Sequence, residues 1–243
     1  MIKKLIVFFL CCFLSYHNTW SQALETDLKQ ADSLFSAQQF TQSFELYQNI
    51  YLQGDHASPV MLLKMAYIKE GLGDITLAQY YLNEYYLATS NELALEKMEN
   101  LANANELEGY NHDDITFLFN VYYKNYNWLL IGLIILTAGI FSILIYQKIK
   151  KQGNPVTTAV FLLILLVGLF YLVNFGKDYN KGLIIKNNTF VMEAPSAGAN
   201  IVDVIQKGHK ISIKGTHDVY SEIEWDGLSV YVKSKNIRPL TIW

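Results

Sequence analysis

The chain contains 243 residues, of which 51% are hydrophobic and 17% are charged, and its formal net charge is −3. A soluble domain usually carries about 25% charged residues, so this composition argues against a single soluble globule. The apolar excess is concentrated in three segments, at residues 5–14, 128–146 and 156–175. The sequence therefore predicts a multidomain membrane protein that also has soluble parts.

The N-terminal segment has the features of a secretory signal peptide covering residues 1–23. Lys3 and Lys4 form a basic start, an apolar stretch follows, and Ser21-Gln22-Ala23 is a small-x-small cleavage site. The mature chain would then begin at Leu24. An uncleaved anchor helix is the alternative, although the apolar stretch is shorter than the ~20 residues that span a bilayer.

The remaining chain offers little that could perform chemistry. Its two cysteines, Cys11 and Cys12, lie inside the signal peptide, so the mature chain would contain no thiol for disulfides, metal binding or nucleophilic attack. The five histidines are scattered, and the sequence has no Gly-rich phosphate loop, no Gly-x-Ser-x-Gly elbow and no His-Glu-x-x-His motif. We therefore expect a non-enzymatic protein with no catalytic residues, no metal site and no cofactor.

Two long uncharged segments, residues 128–146 and 156–175, predict a transmembrane hairpin because each is close to the ~20 residues needed to cross a bilayer. The loop between them, residues 147–155, contains three lysines and no acid, whereas the preceding linker, residues 110–127, contains two aspartates and one lysine. The positive-inside rule places this loop in the cytoplasm and both flanking regions on the periplasmic side of the inner membrane.

Residues 24–109 contain an internal repeat at an offset of 35 residues. At that offset, small residues align with small ones and bulky residues with bulky ones. The aligned pairs include Ala31 with Ala66, Gln38 with Gly73, Ser43 with Ala78, Tyr47 with Leu82, and Tyr51 with Tyr86. This pattern resembles the tetratricopeptide repeat, an α-helical unit whose small residues let two helices pack closely.

Local signals divide this region into helices. Ser58-Pro59 and a capping box at Thr89-x-x-Glu92 predict helix starts, and Gly71-Leu72-Gly73 predicts a helix break. The last helix is expected to end at Gly109 and to cover the exposed end of the repeats with one apolar stripe.

The resemblance to tetratricopeptide repeats implies a partner-binding groove, formed mainly by the first helix of each repeat. On this register the groove residues are Glu25, Leu28, Asp32, Phe35, Val60, Leu63, Tyr67 and Glu70. Residues 24–127 contain fifteen Asp and Glu against five Lys, a net charge of −10, which favours a basic extended partner and disfavours nucleic acid. An equally open alternative is that the acids form a solvated face and the aromatics form the core.

Residues 182–243 show the short alternating runs of a small all-β barrel. Strands are predicted at residues 183–185, 190–192, 210–214, 221–225 and 228–232. Asp226-Gly227 predicts a two-residue hairpin, and Lys207 with Gly208 predicts another turn. The net charge of +2 from Lys177 onward is too small to indicate nucleic acid binding.

The order of motifs in this region resembles a bacterial SH3-like domain, with Pro195-Ser196 ahead of Ile205-x-x-Gly208 and a closing hairpin. That family's usual Gly-Trp is Val230-Tyr231 here. The resemblance implies binding of cell-wall peptides or partner proteins. Strand alternation places Trp225 in the core, which leaves Tyr220 and Tyr231 as the candidate ligand residues.

The whole arrangement of signal peptide, repeats, membrane hairpin and SH3-like barrel resembles the BatE-type proteins of the Bat aerotolerance operon. The likeness is closest in residues 62–86 and at Gly109-Tyr110. It implies a scaffold or assembly subunit in aerotolerance or envelope stress, with other Bat-like membrane subunits as protein partners. The alternatives are a cell-wall-binding anchor and a stress sensor whose hairpin passes a signal inward.

Overall fold

The computed structural model describes residues 21–53, 57–111, 114–151, 153–176 and 179–240. Within them, the chain forms a helical domain, a long two-helix hairpin and an antiparallel β-domain. This layout confirms the predicted order of a helical region, two apolar helices and an all-β region. Most of the predicted signal peptide, residues 1–20, lies outside the described residues, so its cleavage stays a prediction.

Five helices joined by short turns build the helical domain. They are α1 (Ser21–Ser36), α2 (Phe40–Gln53), α3 (Pro59–Gly71), α4 (Ile75–Thr89) and α5 (Glu92–Ala104). Helix α1 packs against α2, α3 packs against α4, and α5 packs against the remaining side of α4. The domain is therefore two helix pairs closed by a fifth helix, as the repeat pattern predicts.

The residues that the 35-residue offset aligns occupy equivalent places in the core. Apart from the exposed turn residues Gln38 and Gly73, the aligned residues named above are each 8% exposed or less, including both small residues of α1 and α2, Ala31 and Ser43. Ser43 Oγ donates a hydrogen bond to the Ala31 carbonyl at 2.9 Å, which requires the two helices to approach closely. Ser43 therefore plays the role that Ala78 plays in the second pair.

The turns inside the two helix pairs also match, although only the second contains glycine. In the second pair, the Gly73 amide donates to the Glu70 carbonyl. In the first pair, at positions 35 residues earlier, the Gln38 amide donates to the Phe35 carbonyl. Both residues lie in the left-handed region, with φ of +76° at Gly73 and +59° at Gln38. Gln38 thus adopts a conformation that normally favours glycine, because the surrounding helices require it.

The helix starts are set by side-chain caps. Asp74 Oδ1 accepts from the Leu77 amide at 3.3 Å at the start of α4, and Asn91 Oδ1 accepts from the Leu93 amide at 2.9 Å at the start of α5. The predicted capping box at Thr89 is therefore wrong. Thr89 Oγ1 donates to the Tyr85 carbonyl at the end of α4, because that helix still has unpaired carbonyls there.

Helix α5 ends at Ala104, five residues before the predicted end at Gly109. Its apolar stripe is confirmed, since Ala94, Met98 and Ala102 are all buried against the domain. Gly109 instead belongs to the segment that contacts the β-domain, as described below.

The hairpin consists of α6 (Asp114–Lys150) and α7 (Pro155–Phe175). Both contain stretches long and apolar enough to cross a membrane, residues 125–150 and 155–175. The predicted linker at residues 110–127 is helical from Asp114 onward, because nothing in that segment breaks the helix before the span begins. Helix α6 has 37 residues and is therefore ~55 Å long, which extends beyond a ~30 Å hydrocarbon layer.

Both folded domains are attached to the same end of the hairpin. At that end, the Tyr126 hydroxyl donates to the Leu172 carbonyl at 2.9 Å, and the Tyr123 and Tyr179 rings are 5.5 Å apart. At the other end, Thr158 Oγ1 donates to Gln147 Oε1 at 2.8 Å, close to the basic loop. The helical domain and the β-domain are therefore held next to each other.

The β-domain contains seven strands in the order β3-β2-β6-β5-β4-β1-β7. The strands are β1 (Lys181–Ile184), β2 (Thr189–Met192), β3 (Ile201–Ile205), β4 (Lys210–His217), β5 (Tyr220–Trp225), β6 (Leu228–Lys233) and β7 (Ile237–Pro239). All paired strands are antiparallel. The predicted turn at Asp226-Gly227 is confirmed, with φ of +49° and +73°. Trp225, at 8% exposure, lies in the core as predicted.

Two strands, β3 and β7, have no counterpart in the sequence-based prediction. Strand β3 is an edge strand whose first four residues are exposed, so its apolar residues do not alternate with polar ones. A bulge leaves Val202 unpaired with β2, and Asp203 Oδ1 accepts from the Val204 amide at 2.7 Å. These features cover part of the free edge and oppose pairing with another strand.

We expect replacement of Gln38 by glycine to stabilise the helical domain. The change removes the steric cost of a left-handed residue with a Cβ, and it should raise the free energy of unfolding by about 0.5–1 kcal/mol after glycine's own entropy cost. Urea unfolding of the full chain in detergent, followed by circular dichroism, would measure the change.

The matched control is Gly73→Gln, in which the added Cβ meets nothing within 4 Å. Its cost is therefore conformational, and we expect destabilisation by about 1 kcal/mol. A lower unfolding free energy for Gln38→Gly would show that the Gln38 side chain contributes more than its backbone strain costs.

Candidate partner-binding groove and domain interface

An open groove on the helical domain contains part of the predicted site. It encloses about 740 Å³ and is lined by residues of α2, α3, α4 and α5. Three of the eight predicted groove residues, Leu63, Tyr67 and Glu70, line it. The structure therefore brings together three of the four α3 residues of the predicted site, and Val60 does not line the groove.

The exposed side of α3 is mainly apolar. Val60, Leu63 and Tyr67 follow one stripe of the helix and are 60%, 44% and 58% exposed. Leu72, in the turn after α3, also lines the groove and is 55% exposed. Neighbouring exposed apolar side chains of this kind are typical of a surface that binds another molecule.

The α1 half of the predicted site supports the groove instead of lining it. The Phe35 ring packs edge-on against Phe40 and Tyr67, with centroids 5.5 and 5.8 Å away. Leu28 is partly buried against the core, and Glu25 forms an exposed ion pair with Lys29 at 2.8 Å. Phe35 thus positions the Tyr67 ring at the groove.

Asp32 is already bound within the domain. It accepts hydrogen bonds from the Tyr47 hydroxyl and from Lys64 Nζ, the latter at 2.7 Å. Although partial burial opposes ionisation, these bonds hold the pKa of Asp32 below its usual value. The same carboxylate and the burial of the ring raise the pKa of Tyr47. Asp32 therefore links α1, α2 and α3 and is not a free acid for a partner.

Glu70, the acid that does line the groove, is paired as well. Lys97 Nζ of α5 lies 2.5 Å from Glu70 Oε1, and Lys97 is itself a lining residue. The described groove therefore has little uncompensated negative charge, which differs from the predicted acidic groove. The net charge of this region comes from acids elsewhere on its surface.

Sequence reasoning missed Phe40, Leu72 and Lys97 as lining residues. The sequence places Leu72 in a helix break and predicts that α5 only covers the end of the repeats. Neither is therefore predicted to line the groove. Lys97 and Glu70 are 27 residues apart, beyond any local pattern. The sequence signal for Lys97 was the position of α5. This helix follows the second helix pair, where the first helix of a third repeat would lie.

The helical domain and the β-domain share a polar interface. The Tyr110 hydroxyl, nearly fully buried, donates to the Gly208 carbonyl at 2.8 Å. Lys210 Nζ donates to Asn83 Oδ1 at 2.7 Å, and the Lys210 amide donates to the Glu108 carbonyl at 3.0 Å. The segment after α5 thus pairs with the start of β4.

Aromatic and apolar contacts surround this interface. The Arg238 guanidinium lies 3.9 Å from the centre of the Tyr80 ring, a cation–π distance. Although burial opposes the charge, Tyr80 and Tyr81 hold the pKa of Arg238 above its usual value. Leu183 and Leu240 of the β-domain belong to the apolar core of the helical domain. The core of the helical domain therefore extends to these two residues, while the β-domain keeps a separate core of its own.

The candidate ligand residues of the β-domain differ in accessibility. Tyr220 is only 5% exposed, which corrects its prediction as an exposed aromatic. It nevertheless lines part of the wall of a pocket of about 370 Å³. Tyr231 is partly exposed and packs edge-on against His217 at 5.7 Å. Strand pairing places Tyr231 opposite Glu222 and Tyr220 opposite Lys233, on one face of the sheet.

No family model, curated protein or solved structure matches this chain. The layout of a helical domain, two apolar helices and an antiparallel β-domain comes from the structure itself. The tetratricopeptide and SH3-like resemblances rest on the residues named above.

We expect Gly109→Ala to separate the two domains. A Cβ at this position would lie 1.9 Å from the Lys210 carbonyl oxygen, and Gly109 has φ of +86°. Hydrogen exchange at residues 104–111 and 206–212 should become at least about ten-fold faster, while residues 221–232 keep their protection. Unchanged exchange at the Lys210 amide would show that the interface tolerates the methyl group.

Gly198→Ala provides the matched control for this variant. A Cβ there meets nothing within 4 Å and the residue has no positive φ. The same substitution should therefore leave the exchange pattern unchanged.

We also expect the interface to weaken as the pH falls. His209 Nδ1 accepts from the Glu108 amide at 3.0 Å, which requires an unprotonated Nδ1. Burial lowers the pKa of His209, against the opposing carboxylates of Glu108 and Asp203. As the pH falls, the imidazole is protonated at a higher pH in the undocked state than in the docked state. The docked state therefore becomes less stable as the pH falls below about 6.5.

Lys210 acts in the same direction at higher pH. Burial, together with nearby Lys181, lowers the pKa of Lys210 to about 7, so docking gains strength as the pH rises above that value. His209→Asn, which keeps an acceptor near the Glu108 amide, should remove only the dependence below pH ~6.5. Amide hydrogen exchange at residues 206–212, corrected for the pH dependence of the intrinsic exchange rate, measures this effect. If exchange in the variant still became faster at low pH as in the wild type, the role of His209 would be contradicted.

Proposed function

We propose that this protein is a non-enzymatic, membrane-anchored scaffold or assembly subunit that binds protein partners through the groove of its helical domain. The observation that carries this proposal is the exposed apolar stripe of Val60, Leu63 and Tyr67 beside an open groove. A groove of this kind is an interaction surface, and its lining offers no arrangement of acid, base and nucleophile. The BatE-like arrangement of parts supports a complex for aerotolerance or envelope stress.

The hairpin suits an anchoring role. Its apolar helices join the two domains at one end and carry Lys148, Lys150 and Lys151 at the other. We propose that the lysines face the cytoplasm and that both domains lie on the periplasmic side, following the positive-inside rule. Other Bat-like membrane subunits would then meet the groove close to the membrane.

The chemistry of the groove points to a partner segment with apolar side chains. Glu70 is neutralised by Lys97, and Asp32 is bound to Tyr47 and Lys64. Affinity would therefore come mainly from the burial of Leu63, Tyr67 and Leu72, at about 25 cal/mol per Å² of apolar surface. Charge would contribute to orientation more than to affinity.

The alternative function, a cell-wall-binding anchor, is favoured by one observation on the β-domain. Tyr220 and Tyr231 lie on a single face of the sheet, and Tyr220 lines a pocket there. This alternative makes wall binding a property of the β-domain and gives the groove no part in it.

A purification of the tagged full chain from its native membrane in mild detergent, with mass spectrometry of retained proteins, tests the proposal. We expect Leu63→Ala with Tyr67→Ala to reduce retention of membrane partners by about ten-fold or more, because central apolar contacts dominate binding energy. The control pair is Leu52→Ala with Val219→Ala, which are 70% and 58% exposed but lie outside the groove.

A parallel sedimentation of the same protein with insoluble cell wall separates the two functions. Partner retention that depends on the groove, without wall binding, would support the scaffold. Wall binding with no retained membrane subunit, or retention unaffected by the groove variant, would contradict it.

A further inference from the structure

The outer face of the β-domain contains a pocket of about 370 Å³ that is separate from the helical groove. Phe190, Met192 and Tyr220 contribute its apolar and aromatic lining. Strand register explains this grouping, because Met192 pairs with Tyr231 and Tyr220 pairs with Lys233 on the side of the sheet opposite Ile223. Its volume falls in the range of about 300–1,000 Å³ that is common for ligand pockets.

Three lysines, Lys186, Lys233 and Lys235, line this pocket, and its lining includes no acid. None of the three forms an ion pair or a side-chain hydrogen bond with another described residue. The β-domain's Lys210 and Lys214, by contrast, are bonded to Asn83 and Glu224. Lys186, Lys233 and Lys235 therefore place three charges that no described acid neutralises around one concave site.

The other polar side chains of the lining indicate which chemical class of ligand fits the pocket. Asn188 and Asn236 are both lining residues. Asn188 Oδ1 already accepts from Gln206 Nε2 at 3.1 Å, which leaves its N–H donors for a ligand, whereas an amide such as that of Asn236 presents a donor and an acceptor. A peptide backbone matches both, whereas a phosphate group offers acceptors almost alone. Phe190, which is 51% exposed, adds an apolar surface that suits a side chain next to an acidic one. These features together favour an acidic peptide over a bare anion.

We propose that this pocket binds an acidic segment of a protein partner, with carboxylates of the segment meeting Lys186, Lys233 and Lys235. The segment would enter the pocket itself and would not extend the sheet, because the bulge at Val202 and the Asp203 side chain blunt the β3 edge. The proposal does not depend on the function of the helical groove. It gives the β-domain a binding specificity opposite in charge to the surface of the helical domain.

The test uses the full chain in nanodiscs of neutral lipid and a fluorescent peptide of sequence Glu-Glu-Phe-Glu-Glu. We expect the peptide to bind and its counterpart Gln-Gln-Phe-Gln-Gln to bind at least about ten-fold more weakly, because the charges are then absent. Raising the salt concentration from about 50 mM to about 300 mM should strongly weaken the binding of the acidic peptide.

The lysine variant combines Lys186→Gln, Lys233→Gln and Lys235→Gln, and should lose about ten-fold or more in peptide affinity. Its control combines Lys148→Gln, Lys207→Gln and Lys214→Gln, which removes the same charge outside the pocket and should keep the wild-type affinity. Circular dichroism confirms that both variants fold, and Phe190→Ala tests the apolar contact without changing the charge.

Three results would overturn the proposal. The first is no binding of the acidic peptide by the wild type, and the second is equal binding by the lysine variant and its control. The third is lysine-dependent binding of inorganic phosphate, phosphatidylglycerol vesicles or insoluble cell wall that the peptide does not displace. The groove variant at Leu63 and Tyr67 should leave peptide binding unchanged, so failure here is distinguishable from failure of the scaffold function.

Discussion

The interface between the helical domain and the β-domain is the contact on which the rest of the arrangement depends, because two partly buried basic side chains bind across it. Lys210 donates to Asn83 at 2.7 Å, and Arg238 lies 3.9 Å from the centre of the Tyr80 ring. Leaving a buried hydrogen-bonding group without its partner costs about 1–3 kcal/mol. A small rotation would separate both cations from their partners at once, so the interface favours one relative orientation of the two domains.

This orientation has consequences at the hairpin and at the groove. Tyr123, in the part of α6 that precedes its apolar stretch, contacts Tyr179, which lies just before β1, so the membrane helices and the domain interface restrain each other. Among the described residues, the contacts of the helical domain with the β-domain involve α4 and the segment after α5, and not the groove residues of α3 and α5. A partner can therefore occupy the groove while the two domains stay together.

Sequence reasoning succeeded where the deciding interactions are short in range. The two apolar helices, the Gly71-Leu72-Gly73 break and the Asp226-Gly227 hairpin each depend on residues within one element or one turn. The repeat was also visible, because close packing of helix pairs requires small residues at fixed spacing. Gln38 shows the boundary of this success, since tertiary packing holds it in a conformation that its residue type disfavours.

The failures involve contacts between residues that are far apart in the chain. Lys210 and Asn83 are 127 residues apart, and no periodicity or spacing marks either as an interface residue. Strand β3 lacks alternation because it is an exposed edge. Tyr220 is buried although its own strand predicts exposure, and the residues that share its pocket come from chain segments as distant as residues 186–201. For the groove, the register of α3 was predictable, but the pairing of Glu70 with Lys97 was not.

Net charge is a poor guide to the charge that a partner would meet on this protein. Residues 24–127 carry a formal charge of −10, yet the carboxylates of Asp32 and Glu70 are bound to lysines of the same domain. The chain from Lys177 onward carries only +2, yet Lys186, Lys233 and Lys235 face one pocket whose lining has no acid. Screening limits exposed charges to about 8–10 Å in physiological salt, so a bound segment responds to the nearest groups and not to the domain total. On our proposals, the nearly neutral domain therefore holds the stronger local site for a charged ligand, and the highly charged domain holds the site for an apolar one.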